Sequence, residues 1–436
     1  MSTKKRYHHR PRRADAPAEL LELRIGEPAH GGACVARDDS GRVVFVRHAL
    51  PGERVRARVT STRKSLAWAD AIEVLDPSAD RVESVWPQAG PGGVGGAELA
   101  HVAPAAQRAW KEAVIRGQLR RVGGPDLAAA VEALGGVRVE AAPGDETGPL
   151  TRRRTRIELV VDREGRAGMH RYRGSEVVAL DSMPLAVQPI EDLGVLGAGS
   201  SWADLWKPGD RIRIVAPNGV SPVVVTPKGM RNPLGERIEA ERLLWTVEVA
   251  GASYDYRVRP KGFWQTHVAG AAVLANAVLE AANPSEGERV LELFSGAGLF
   301  TAPLAAAIGA RGRLVSLEGD EGAVADAGEN LAALGWVDAF VGGVDDAGVW
   351  ELAGELDRRP NLVVLDPPRA GAGLEACAAI GALGAERIVL VSCDPAAGAR
   401  DLRALVEAGY AVESFRAWDL FPHTHHVESV ASLVRA

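Results

Sequence analysis

The sequence predicts an α/β, Rossmann-like domain in its C-terminal part, preceded by an OB-like β-barrel and a mostly β central region. Three observations predict it. In Leu291-Glu292-Leu293-Phe294-Ser295-Gly296-Ala297-Gly298-Leu299-Phe300 an apolar run meets a Gly-x-Gly turn, and an Ala/Leu-rich helical pattern follows from Thr301 to Ile308. That is strand, tight turn, helix, the opening unit of a doubly wound sheet. Roughly 20 residues on, Arg313-Leu314-Val315-Ser316-Leu317 reads as a second strand, and apolar strands recur at Asn361-Leu362-Val363-Val364-Leu365 and Arg387-Ile388-Val389-Leu390-Val391-Ser392 with helical patterns between. Residues 20–75, by contrast, hold short alternating strands punctuated by turns.

The glycines of the turn let backbone approach a ligand where a side chain would clash. Glu318, at the end of the second strand, can accept hydrogen bonds from ribose hydroxyls. Two ligand classes stay open at this point. A nicotinamide dinucleotide suits strand-turn-helix, but its full fingerprint wants a third glycine where Thr301 stands. Phe294 and Ser295 in the turn fit the S-adenosylmethionine (SAM) loop of methyltransferases better.

Composition narrows the class. The 436 residues suit several domains, and 25% charged with 46% hydrophobic residues reads as globular. No apolar run approaches the ~20 residues of a membrane span, and the basic N-terminus lacks a signal-type apolar core. Three cysteines cannot build a disulfide framework, so a reducing cytoplasm is the expected location. A net charge of −6 does not advertise a nucleic-acid binder, but the charge is unevenly spread.

The elements follow in order. Residues 1–17 are read as a basic arm, either solvated or set against phosphates: residues 1–13 carry Lys4, Lys5, Arg6, Arg10, Arg12 and Arg13 and no acid. Residues 18–76 are expected to form the barrel, with Leu21-Glu22-Leu23-Arg24-Ile25 and Val55-Arg56-Ala57-Arg58-Val59 alternating and Pro51-Gly52 as a turn. Arg56 and Arg58 share an outward face, with Arg63, Lys64 and Trp68 nearby; basic groups beside an aromatic can hold phosphate and stack a base, or be only a solvated strand face. Residues 77–260 form the expected central module. It contains a helix from Ala105 to Val122, the arginine run Thr151-Arg152-Arg153-Arg154-Thr155-Arg156, and Met169-His170-Arg171-Tyr172-Arg173, read as phosphate contacts over one groove. Residues 261–436 form the Rossmann-like module, opening with a helix from Val268 to Ala282.

Chemistry in such sheets sits beyond the carboxyl ends of the strands. Asp366-Pro367-Pro368-Arg369 and Ser392-Cys393-Asp394-Pro395 fall there, and Phe421-Pro422-His423-Thr424-His425-His426-Val427-Glu428 comes near the end. Together they supply a nucleophile, a polar positioning group and a carboxylate base around one crevice. A lone cysteine at a strand end is more often an apolar filler; that reading is kept for Cys34 and Cys377, whereas Cys393 is set apart by Ser392, Asp394 and Pro395. The histidines lack matching Cys or acid spacing, so no metal site is expected.

In this order the segments resemble the SAM-dependent RNA uridine-5-methyltransferases, which make 5-methyluridine in tRNA or 23S rRNA. The barrel, with Pro51-Gly52-Glu53, resembles that family's TRAM domain, an RNA-binding module. Phe263-Trp264-Gln265-Thr266-His267 resembles its Phe-x-Gln-x-Asn segment, with His267 in place of Asn. The resemblance implies that Gln265, Phe294, Ser295, Gly296, Gly298, Glu318 and Asp366 line the SAM site. It implies Cys393 as a thiolate that adds to carbon 6 of uracil, Glu428 as the base for the carbon 5 proton, and Asp366 as the group holding the uracil edge. RNA is the implied partner, its target base leaving the stack. Two alternatives stay beside it: an RNA-binding protein of this fold without catalysis, and a SAM methyltransferase acting on a different RNA base.

One departure stands out. Many family members hold an iron–sulfur cluster through four cysteines. The matching positions here are Trp86, Val94, Ala97 and Met183, so no cluster is expected and an apolar core is expected in its place.

Overall fold

The computed structural model describes residues 19–436, so the basic arm and residue 18 lie outside the described residues. The described chain separates into two compact units, residues 19–28 with 33–79, and residues 29–32 with 80–436.

The smaller unit is built on a six-stranded sheet, β1 (Leu20–Arg24), β2 (Pro28–Ala29), β3 (Ala33–Arg37), β4 (Val43–Arg47), β5 (Arg54–Arg63) and β6 (Leu66–Asp76), in the order β1-β5-β6-β4-β3-β2. Period-two alternation does the sorting: Val55 and Ala57 on β5 are buried, and Arg54, Arg56 and Arg58 face out. Gly52 takes φ 84° in the β4–β5 turn, and the buried Glu53 carboxylate accepts the Leu50 amide at 2.8 Å and the Ser78 amide at 3.1 Å. Arg56 is paired with Glu73 across the strands, and Trp68 stacks on Phe45 with ring centroids 5.8 Å apart. Of the basic groups expected to meet phosphate, Arg58, Arg63 and Lys64 are exposed.

The larger unit holds an eight-stranded sheet and a seven-stranded one. Its first helices are α1 (Pro104–Gln118), which runs into a π-turn at Leu119–Gly123, and α2 (Pro125–Ala133), followed by strand β7 (Val139–Ala141). Strands β8 (Arg156–Val161), β9 (Ala167–His170), β10 (Val177–Ala179), β11 (Arg211–Val215), β12 (Val223–Thr226), β13 (Gly229–Arg231) and β14 (Arg237–Ile238) make the antiparallel seven-stranded sheet, ordered β10-β9-β8-β11-β12-β13-β14, with the short α3 (Gln188–Glu191) between β10 and β11. A hairpin, β15 (Leu243–Val249) and β16 (Ala252–Val258), leads into α4 (Gly270–Ala282).

The remaining elements wind the large sheet: β17 (Arg289–Leu293), α5 (Thr301–Ile308), β18 (Arg313–Glu318), α6 (Glu321–Asn330), β19 (Val337–Val341), α7 (Asp346–Ala353), β20 (Leu362–Leu365), α8 (Leu374–Leu383), β21 (Arg387–Ser392), α9 (Pro395–Glu407), β22 (Tyr410–Asp419) and β23 (Glu428–Arg435). The order is β19-β18-β17-β20-β21-β23-β22-β7, parallel from β19 to β21, with β23 antiparallel to both neighbours. The central strands are apolar on both faces because both are covered. Val290, Leu314, Leu362 and Val364 pack with α4 and α5, and Leu291, Leu293, Val363 and Leu390 pack with α7, α8 and α9.

The structure distributes residues 77–260 differently from the sequence reading. Ile115, Leu119, Leu127, Val131 and Val139 join the core on the α7–α9 face, and β7 adds the edge strand beside β22. The stripe on α1 finds its apolar partner in the Rossmann-like sheet, so residues 104–141 pack with the Rossmann-like half.

A buried ion pair fastens α1 to the end of β22. Lys111, 0% exposed, donates to Asp419 Oδ1 at 2.5 Å and to the Phe421 carbonyl at 3.0 Å. Removing one partner strands the other charge away from water. Lys111→Ala is expected to destabilise the protein by about 3–5 kcal/mol, whereas Lys111→Met with Asp419→Leu recovers most of that loss; urea unfolding of both variants checks it.

Candidate active site

Strand register brings the predicted residues to one edge. β17, β18, β20 and β21 run parallel, so their carboxyl ends lie side by side. Phe294 follows β17, Glu318 ends β18, Asp366 follows β20 and Cys393 follows β21. β23 runs the other way and pairs Ser429 with Ser392, so the next step of that register sets Glu428 opposite Cys393.

The glycine loop is held from two sides. The Phe294 amide donates to the Leu317 carbonyl at 2.8 Å, and the Gly296 amide donates to Glu318 Oε2 at 3.0 Å. Glu318 Oε1 accepts the Asp320 amide at 2.9 Å. Phe294 itself takes φ 62°, a left-handed conformation that non-glycine residues seldom adopt outside constrained sites. Gly296 has φ 56° and open space where a Cβ would stand. An open glycine cradle beside a carboxylate suits the methionine and ribose parts of SAM, so the residues fit that group.

Gln265 is buried, and the residue before it is tied to the same loop. Trp264 packs on Tyr256 at 5.3 Å, and Tyr256 donates its hydroxyl to the Leu299 carbonyl at 2.9 Å. The backbone around Gln265 is clamped by the arginine run. Arg156 donates to the carbonyls of Gly262 (2.7 Å) and Trp264 (3.4 Å), and the Val268 amide donates to the Arg153 carbonyl at 2.8 Å. Arg154 donates to the Gly96 carbonyl at 2.6 Å, and Arg153 pairs with Asp145. Asp145 also lies 2.9 Å from His267 Nε2, so His267 docks its segment through a buried carboxylate. Arg153, Arg154 and Arg156, expected to contact phosphate, therefore make intramolecular contacts. Arg152 stays exposed with φ 60°.

The electrostatics of the edge are acidic. Burial first, then Glu428 and Asp366, push the Cys393 thiol up to about 12, and Arg369 acts against them. Burial and Glu318 raise the Asp366 carboxyl to about 7. Glu428, 5% exposed, is held well above the usual carboxylate range by burial and by Asp366. Arg369 is the cation that lowers both Cys393 and Glu428. Asp394 caps α9, accepting the Ala396 and Ala397 amides at 3.0 Å each, and His30 Nε2 lies 3.2 Å from its Oδ2. Burial alone would raise Asp394; the His30 hydrogen bond and the helix amides outweigh it and hold the carboxyl at about 2.

The segment before Glu428 is fixed by buried polar contacts. His423, at φ 65°, donates its backbone amide to Gln107 Oε1 at 2.7 Å, and its Nε2 lies 2.8 Å from the Pro149 carbonyl. Burial holds its imidazole down to about 4. Glu98 accepts the His425 amide at 2.9 Å and pairs with the His425 ring. Among the described residues no group of three or more His, Cys, Asp and Glu side chains could hold a metal ion.

The cluster positions of the sequence comparison form an apolar core. Trp86, Val94, Ala97 and Met183 are 1, 0, 2 and 1% exposed and pack with Leu180, Leu185 and Ile157.

One buried acid escaped the sequence reading. Glu292, in the middle of β17, is 1% exposed, and neither carboxyl oxygen has a hydrogen-bond partner among the described residues. The available signal was the acid itself, standing between leucines in a strand otherwise apolar on both faces.

Comparison with known proteins places this geometry. A TRAM domain profile matches residues 18–72, and a tRNA (Uracil-5-)-methyltransferase profile matches residues 356–436, which contain Asp366, Cys393 and Glu428. A protein-L-isoaspartate(D-aspartate) O-methyltransferase profile matches residues 246–351, the half with the glycine loop and Glu318, and stops short of those three residues. The chain is 39% identical over 95% of its length to an uncharacterized RNA methyltransferase of Streptomyces coelicolor, covering 93% of that protein. It is 32% identical over 97% of its length to the 23S rRNA (uracil(1939)-C(5))-methyltransferase of Alkalilimnicola ehrlichii, covering 98% of it. The fold matches the crystal structure of Pyrococcus abyssi tRNA (uracil-54, C5)-methyltransferase in complex with S-adenosyl-L-homocysteine, with a TM-score of 0.67, 21% identity, and 95% and 100% of the two chains covered. With a SAM-type glycine loop, an RNA-binding barrel module and the uracil-methyltransferase segments on one sheet edge, the chain belongs to the TRAM-bearing, SAM-dependent RNA (uracil-5-)-methyltransferase family.

Proposed function

We propose that this protein methylates carbon 5 of a uridine in structured RNA, rRNA or tRNA, through a covalent adduct between Cys393 and carbon 6. The observation that carries the reading is the convergence of Asp366, Cys393 and Glu428 at one sheet edge beside the glycine loop. Bound SAM supplies an electrophilic methyl group. Residues Gln265, Phe294, Ser295, Gly296, Gly298 and Glu318 hold it, with Asp366 at the boundary with the base.

Carbon 5 of uracil is a poor nucleophile. The Cys393 thiol gives up its proton to solvent, and the bond its Sγ then forms to carbon 6 breaks the carbon 5–carbon 6 π bond and moves that electron pair onto carbon 5, which can take the methyl group. Glu428 accepts the proton that carbon 5 still carries, the carbon 6–sulfur bond breaks, and the electron pair leaves with the thiolate. Asp366 hydrogen-bonds the uracil edge and keeps the ring in register. The acidic surroundings make a standing thiolate costly, so Arg369 is the group that favours ionisation of Cys393 as the base arrives. Exposed Arg58, Arg63, Lys64 and Arg152 are the surface cations available to phosphate. The close likeness to a 23S rRNA enzyme and the shared fold of a tRNA enzyme make both RNAs the first to test. Such an enzyme works in the cytoplasm, and among the described residues no helix is long and apolar enough to cross a membrane.

The 86–97 loop reads as independent of an iron–sulfur cluster. Thiolates are the ligands such clusters need, and apolar side chains fill the corresponding space. The purified protein is therefore expected to contain no stoichiometric iron or acid-labile sulfide and to keep its activity through aerobic chelation. Iron and sulfide at four atoms each per chain would overturn this.

The reaction has a direct test. With SAM and RNA containing 5-fluorouridine, the fluorine replaces the proton Glu428 must take, so a denaturant-resistant protein–RNA adduct should accumulate and be absent from Cys393→Ala. With ordinary uridine RNA, Glu428→Gln is expected to slow turnover by roughly 10²–10⁴-fold and to trap the same adduct. SAM binding without an adduct on tRNA, 23S rRNA or total RNA would sink the covalent mechanism.

A further inference from the structure

The crevice is rich in carboxyls and holds a buried one that nothing satisfies. Glu292 lies on the face of β17 covered by α4 and α5, with Val290 beside it in the strand. Ser316 on β18 is its register neighbour, and Ser316 Oγ is buried and without a hydrogen-bond partner. Thr301, the first residue of α5, is 0% exposed; its hydroxyl is the polar group that acts on the Glu292 carboxyl and pulls against burial, although the pair stands outside strict hydrogen-bond geometry. Among the described residues three buried polar side chains thus stand together without a well-formed hydrogen bond, in the strand that leads into the glycine loop beginning two residues after Glu292. Buried polar groups are almost always satisfied, and clusters of exceptions mark places with a further role. Among the described residues Asp366, after β20, is the titratable group that acts on Glu292, and Glu292 in turn raises the Tyr256 hydroxyl on β16.

An unpaired carboxyl in such a place is neutral, and burial raises Glu292 to about 8. A cation set over the loop favours its ionised form. SAM carries one positive charge more than S-adenosyl-L-homocysteine, the sulfonium, and otherwise the two share their binding groups. We propose that Glu292 reads the charge of the bound cofactor: it gives up its proton when SAM binds and keeps it when S-adenosyl-L-homocysteine binds. The proton goes to solvent, and it returns to Glu292 once the sulfonium charge has left with the methyl group. Glu292 would then discriminate substrate from product, a task no hydrogen bond to their shared atoms can perform. The inference rests on the SAM-binding part of the proposed function.

The sign follows from linkage. Binding that releases a proton strengthens as pH rises. Between pH 6 and 7 the Kd for SAM is expected to fall about tenfold, and that for S-adenosyl-L-homocysteine less than about twofold. Isothermal titration of the full chain in two buffers of different ionisation enthalpy should show about one proton released per SAM and close to none for the product. Glu292→Gln should release about one proton fewer per SAM than the unaltered protein and lose most of the difference between the two ligands, whereas Asp366→Asn should still release more protons with SAM than with S-adenosyl-L-homocysteine. Thermal melting confirms that each variant is folded. If Glu292→Gln does not fold, loss of the protonated-carboxyl infrared band on SAM binding in the double variant Asp366→Asn with Glu428→Gln, which removes the other raised carboxyls of the crevice, carries the same test. Equal proton release for the two ligands, or a difference that survives in Glu292→Gln and disappears in Asp366→Asn, would overturn the proposal. Failure to bind either ligand would instead count against the methyltransferase reading.

Discussion

Everything at the active edge depends on strand register. Asp366 and Cys393 stand at the first position beyond two adjacent parallel strands, and Glu428 enters from an antiparallel strand threaded beside them. A slip of one residue in any of these would turn the functional side chain toward the opposite face and carry a core residue into the crevice. The apolar identity of Leu362 to Leu365 and Ile388 to Val391 on both faces holds the register, because both faces are covered by helices and every side chain has a packed place. The core is therefore the positioning device of the site.

A second constraint is charge. Glu292, Glu318, Asp366 and Glu428 gather where water is scarce, and Arg369 is the cation that acts on Cys393 and Glu428. Such crowding keeps several carboxyls neutral in the free protein. It also makes the crevice receptive to a cationic ligand, whose arrival lowers the cost of ionising the groups around it. On the proposed mechanism the carboxyls of this edge and the charge of the cofactor are coupled through space. In this reading the buried acid under the loop and the base at Glu428 belong to one electrostatic system.

Two features show how the chain reuses its segments. The arginine run at residues 152–156 has the composition of a phosphate contact, yet Arg156 braces the segment that carries Gln265, Arg153 is linked to it through Asp145 and His267, and Arg154 holds the Gly96 carbonyl. Burial holds Arg154 and Arg156 down to about 10, which still leaves them charged at neutral pH. Their carbonyl and carboxylate partners stabilise that buried charge. The loop at residues 86–97 instead closes over apolar contacts, and Gln88 ties it to the β10 side of the sheet by donating to the Ala179 carbonyl at 3.1 Å.

Much of this was legible in the residues themselves. The strand–turn–helix around Gly296 and Gly298, the short strands of the barrel, and the segments ending in Asp366, Cys393 and Glu428 all carry local patterns. Such patterns, and their order along the chain, are written in one dimension. The partnership of α1, α2 and β7 with the large sheet was not, because an apolar stripe specifies that it must be covered and not by what. The inward turn of three arginines was equally invisible, since their partners are backbone carbonyls of residues 96, 262 and 264 and the carboxylate of Asp145, brought close only by folding. Glu292 marks the same division. The sequence by itself determined that an acid stands in a central strand; only the tertiary structure decided that, among the described residues, no well-formed hydrogen bond meets it, because satisfaction of a buried group depends on every neighbour that packing places around it.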